Sequence, residues 1–160
     1  MRKTLLATLL LVASTPTLAG DVWDQYKMLA TDVTKQIESG SLSDVKSKAI
    51  ALTRLSTQLL PTFVKKQPVC SEYINAAMQA SERMLSISLD EIEADYHADG
   101  KLPSMKQPVC YHAKDLLVHP ATVAVIAKTL PDSKETREKL HHEIVEVLEH
   151  FNEVKRDAGM

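Results

Sequence analysis

Glu93 and His97 lie four residues apart, the spacing that brings two side chains onto one face of a helix. Imidazole with carboxylate is a ligand pair suited to zinc or a similar transition metal ion. Asp90, Glu91, Glu93 and Asp95 crowd the stretch before His97, where the carbonyls of a helix end already carry partial negative charge. Such a breach of local rules is often found at a site of function. A few residues later "CYHAKDLLVHP" supplies His112 and His119, two turns apart and within roughly 20° of each other around a helix. The candidate cation site is therefore His97, His112 and His119, with Glu93 or Asp95 completing the shell. The simpler reading of the same residues makes His97 a helix-end residue favoured by the dipole, His112 and His119 half-buried hydrogen-bonding groups, and the acids a solvated patch.

His142, Glu146 and His150 also recur at spacings of four. Their midpoint falls opposite the apolar stripe Leu140, Ile144, Val147, Leu148, Phe151 and Val154, so they are expected to be exposed, with His141 at the boundary. Haem is the weaker cofactor candidate. Covalent attachment would need Cys-x-x-Cys-His, which is absent. Ligation by Met28 and His150, by fold-level analogy with bundle cytochromes, is disfavoured because Met28 sits about 240° from Val22 around its helix. Neither a Cys-x-x-Cys redox pair, a Gly-x-Ser-x-Gly elbow nor a glycine-rich phosphate loop is present, and the chain has only 4 glycines.

Both cysteines occur in the same word, "KQPVC", at Lys66–Cys70 and Lys106–Cys110. Proline is well tolerated at the first position of a helix, so each copy starts a helix and puts a thiol in its first turn. In an oxidising compartment the two thiols are expected to pair. A straight helix from Pro68 to His97 would put Cys70 about 40 Å from the helix end, whereas the connection Ala98 to Gln107 spans only about 33 Å. A helix stopping near Asp95, with an extended linker running back along the bundle, would let an intramolecular Cys70–Cys110 bridge close. That bridge would also hold His112 far from His97.

The expected compartment follows from the start of the chain. Met1-Arg2-Lys3 is a short positive stretch, Thr4 to Ala13 is apolar, and "STPTLA" ends in Thr-x-Ala, which together read as a signal peptide over residues 1–19 cleaved before Gly20. Ten apolar residues cover only half of the roughly 20 a spanning helix needs, so no stable membrane anchor is expected. Residues 20–160 then carry 17 basic and 21 acidic side chains, a formal charge of −4, which disfavours nucleic acid as a partner.

The elements that must position these residues are helical. Val22, Tyr26, Leu29, Val33 and Ile37 line one face of a first helix that Gly40 ends, and Ser41 with Asp44 opens a second, in which Pro61 bends or ends the helix near its close. Pro120 is expected to start a new segment at an angle, and Asp132 with Glu135 to open the last helix. The fold class is an all-α, up-and-down bundle of four main helices in a single domain, with Pro108 to Leu130 adding a kinked helical pair. The leading functional reading is an exported, non-enzymatic binding module for an unidentified protein or small ligand, periplasmic if the source is Gram-negative. The alternative is a metal- or haem-binding protein using the histidines near the acidic helix end.

Overall fold

The computed structural model describes residues 21–159; the proposed signal peptide lies outside them. The chain forms α1 (Val22–Ser39), α2 (Leu42–Lys66), a 3₁₀ turn (Pro68–Cys70), α3 (Ser71–Gln79), α4 (Ser81–Met84), α5 (Leu89–Ile92), a π turn (Glu93–His97), α6 (Pro108–Thr129) and α7 (Lys134–Asp157). The fold is an all-α bundle, with no strand among the described residues. No helix among them is long and apolar enough to cross a membrane.

Helices α1, α2, α6 and α7 make the bundle, packed in the cyclic order α1, α2, α6, α7. α1 and α2 are joined through Gly40, and Ser41 caps α2 by accepting from the Asp44 N–H at 3.1 Å. The buried stripe of α1 is Trp23, Tyr26, Ala30, Val33 and Ile37, so Val22 and Leu29 lie at its edges instead of its centre. Tyr26 stacks on Phe151 with ring centroids 5.6 Å apart, tying the start of α1 to the end of α7. At the other end, Arg137 donates to the carbonyls of Ile37 and Gly40 at 2.5 and 3.0 Å. α7 begins after Ser133, whose side chain accepts from Thr136 N–H, so Ser133 and not Asp132 is the cap; Asp132 instead holds Arg137.

Pro120 does not start a new segment. α6 is one helix from Pro108 to Thr129, and the expected kinked pair is absent. A proline inside a helix leaves the carbonyl four residues earlier without its intrahelical donor. Here that carbonyl belongs to Leu116, and it accepts from Tyr26 Oη and Ser56 Oγ, each at 2.6 Å. Hydroxyls from α1 and α2 thus satisfy the group that the proline orphans, and the helix continues through it. Pro61 likewise sits within α2, which runs on to Lys66.

The segment from Cys70 to His97 is not a straight helix. α3 and α4 pack along α6, residues 85–88 turn, and α5 with the π turn comes back. Asp99 Oδ1 therefore accepts from Tyr73 Oη at 2.6 Å, although Tyr73 follows Cys70 by only three residues. This fold-back, and not an early helix stop with an extended linker, is what lets the bridge close. Cys70 and Cys110 are joined, with Cα atoms 5.2 Å apart.

Candidate metal centre

The fold-back sets His97 against α6. The π turn widens the last helical turn, with Ala98 N–H donating to Glu93 O at 2.8 Å. Asp99 then takes a left-handed conformation, φ 62°, which an aspartate tolerates better than most residues. Gly100 N–H donates to Ala94 O at 3.0 Å, and a side chain at Gly100 would meet that oxygen at 2.3 Å, so only glycine fits. π turns and strained residues tend to cluster at functional sites.

This corner is clamped by Lys114, a fully buried lysine on α6. Its ammonium donates to the His97 carbonyl at 2.9 Å and to Asp99 Oδ1 at 3.2 Å, lies 3.1 Å from Asp115 Oδ1, and sits 4.2 Å from the centroid of the Tyr111 ring. Burial, followed by the charge of Asp115, pushes the Tyr111 phenol up to about 12.

Four imidazoles run in a row between the π turn, α6 and α7. His97 meets His119 edge-on at 4.9 Å between centroids, His119 stacks on His150 at 5.3 Å, and His150 lies 5.0 Å from His112. His97, Asp115 and His119 each bring one donor atom within 4.8 Å of the others, as do His119, Glu146 and His150, and also His112, His150 and Glu153. Three of the four histidines follow a carboxylate by four residues: Glu93–His97, Asp115–His119 and Glu146–His150.

With every imidazole in its neutral form, the outer carboxylates favour one arrangement of protons, worked from the outside inward. Glu93 lies 3.1 Å from His97 Nδ1 and Glu143 lies 2.8 Å from His119 Nδ1, so those nitrogens carry the protons and both Nε2 atoms are acceptors. Glu153 lies 2.9 Å from His112 Nε2, which must donate to it. With one proton on each ring, His112 Nδ1 is then an acceptor and takes the proton of His150 Nδ1, 2.8 Å away. His150 Nε2 is left with its lone pair 3.6 Å from Asp115 Oδ2 and 3.7 Å from Glu146 Oε2. Burial first, then the neighbouring His119 and His112, push His150 down to about 3, so its ring is neutral near pH 7.

The result is a set of inward-facing acceptors short of donors. His119 Nε2 is buried without a hydrogen bond, and neither oxygen of Asp115 has one of good geometry. Buried polar groups are rarely left in that condition. Burial pushes the Asp115 carboxyl above its ordinary value, with Lys114 and His119 opposing the shift. Lys114 supplies a cation to Asp115 Oδ1 only, and a metal ion is the species that would satisfy His119 Nε2 and Asp115 Oδ2 together. Zinc with bonds of about 2.0–2.1 Å in a tetrahedral shell needs donors about 3.4 Å apart, close to the His150–Asp115 separation.

Of the residues expected from the sequence, His97 and His119 come together. His112 is not beside them; it joins the row through His150. Glu93 is a partner of His97 Nδ1, one bond removed from the inner donors. Asp95 is not in the cluster: it pairs with Lys101 at 2.5 Å. The expected exposure of the α7 trio holds for His142 only, because His150 is buried and Glu146 half-buried. Met28 is 72% exposed on the outer face of α1, on no side of the cluster. Asp115, Glu143 and Glu153 were not anticipated. Compared with known proteins, the chain matches no family model, no curated protein and no solved structure.

Proposed function

We propose that this is an exported metal-binding protein that holds a transition metal ion between the π turn, α6 and α7, with His97, Asp115, His119 and His150 as donors. The observation that carries the reading is His119 Nε2, buried with no hydrogen bond, beside the buried Asp115 carboxylate, whose ion pair with Lys114 leaves Oδ2 without a hydrogen bond, in a cluster with His97. A carboxylate and neutral imidazoles form a donor set for zinc, copper or iron. The outward hydrogen bonds to Glu93 and Glu143 follow the pattern by which outer carboxylates orient metal-bound histidines. The Cys70–Cys110 bridge supports export to an oxidising compartment. The buried His119 Nε2 and Asp115 Oδ2 put metal binding ahead of a purely apolar binding module, since a core built only for packing has no use for buried acceptors without hydrogen bonds.

Elemental analysis of protein purified from its own compartment, with an absorption spectrum after cobalt substitution, tests the reading. Stoichiometric transition metal and cobalt d–d bands are expected. Metal-free protein that gives no cobalt spectrum would overturn it.

A further inference from the structure

His150 has two faces. Its Nε2 looks inward at Asp115 and Glu146, while its Nδ1 looks outward at His112. Within the inward group the Asp115 side chain is 0% exposed and that of His119 only 5%, while that of His97, at the π turn, is 30% exposed. The outward group reaches the surface: the side chains of His112 and Glu153 are 26% and 38% exposed. The row meets water at both ends, at His97 and at His112, and the end at His112 is the one that carries three candidate donors of its own, His112, His150 and Glu153.

We propose that His112, His150 and Glu153 form a second, solvent-facing site for a divalent transition metal ion, from which the ion is passed to the buried centre through His150. This rests on reading the buried cluster as a metal centre. Two imidazoles and one carboxylate leave a coordination position for water, as suits an ion held in transit. A neutral imidazole has one lone pair, so His150 serves one side at a time. With its proton on Nδ1 it completes the inner group. With the proton on Nε2, directed at Asp115 and Glu146, its Nδ1 lone pair joins that of His112 Nδ1, and Glu153 turns from the His112 Nε2–H, which keeps its proton, to the ion. Transfer of the ion inward moves that proton back from Nε2 to Nδ1, and no proton is gained or lost overall.

Glu153→Gln is the informative variant. The amide oxygen still accepts from His112 Nε2–H, so the hydrogen bond that orients His112 and His150 is kept while the anionic ligand is lost. Zinc uptake by the full chain is followed by stopped-flow mixing with a fluorescent zinc indicator, alongside equilibrium titration. Glu149→Gln, an equal change of charge at an exposed position of the same helix, is the control. The association rate is expected to fall about tenfold in Glu153→Gln, beyond what the control loses to weakened steering. Equilibrium affinity should change far less. In His119→Ala a weak residual zinc site should remain, and adding Glu153→Gln should remove it. An uptake rate no different from the control, or residual binding indifferent to Glu153, would overturn the second site and leave the buried centre standing. A wild type that takes up no zinc would overturn both.

Discussion

His119 Nδ1 lies 2.8 Å from Glu143 Oε2, and this partnership decides what the other nitrogen of His119 can do. With the proton held on Nδ1, Nε2 is an acceptor buried beside Asp115 and His97. Removing the carboxylate frees the ring to rotate or change tautomer. Glu143→Ala should therefore weaken zinc binding about 10- to 100-fold without touching an inner donor, as loss of outer partners does elsewhere. Competition with a chelator of known affinity measures it.

Asp115 should trade stability for binding. Its carboxyl is pushed above the ordinary 3.8, burial being the largest cause. The metal-free fold therefore favours the protonated form: that contribution is complete below about 3.8 and is lost as pH rises through the raised folded value. Asp115→Asn should raise the melting temperature of metal-free protein at pH 7, and this advantage should shrink toward pH 4. The same variant should bind zinc more weakly than wild type. Thermal melts with and without chelator over that pH range check both halves.

The bridge closes a loop with a sequence separation of 40. The chain-entropy relation puts its contribution at about 4 kcal/mol. Replacing both cysteines by alanine should lower unfolding stability by that order in urea titrations, and peptide mapping without reductant should recover Cys70 and Cys110 in one linked fragment.

The Leu116 carbonyl gives a non-additive test. Tyr26→Phe or Ser56→Ala alone leaves one donor in place and should cost about 1 kcal/mol. The double variant leaves a buried carbonyl with no donor at all and should cost more than the two single losses together, by about 1–3 kcal/mol. Urea unfolding of the three variants measures the coupling.

Much of this fold was legible in the chain. Four-and-three periodicity marks α1, α2 and α7, and Pro68 and Pro108 mark two helix starts. Pro120 misled because local propensity cannot see that hydroxyls from two other helices will satisfy the carbonyl it frees. The segment Cys70 to His97 misled for a similar reason: its apolar residues keep helical spacing, while the turn at residues 85–88 is stabilised by the capping box of Ser88 with Glu91 and by packing on α6.

The cluster was half legible. His150 escaped because three residues spaced by four were treated as one direction, whereas each step of four drifts about 40° around the helix. His150 lies about 80° from the axis of the Leu140 stripe and His142 about 160°, so one end of the trio is buried and the other is not. Asp115 had a readable signal: an acid four residues before a histidine, at the start of the apolar run that follows Lys114. Glu143 and Glu153 meet their histidines across two helices, and no local spacing announces such a pairing.

Zinc titration at pH 7.5 of metal-free wild type against His119→Ala tests the buried centre most directly. The wild type should bind one ion at sub-micromolar concentration, and at a hundredfold excess over the dissociation constant its melting temperature should rise by about 10 °C. His119→Ala should bind roughly a hundredfold more weakly or worse. Wild-type binding no tighter than millimolar, or equal affinity in the variant, would contradict a metal centre built on His119.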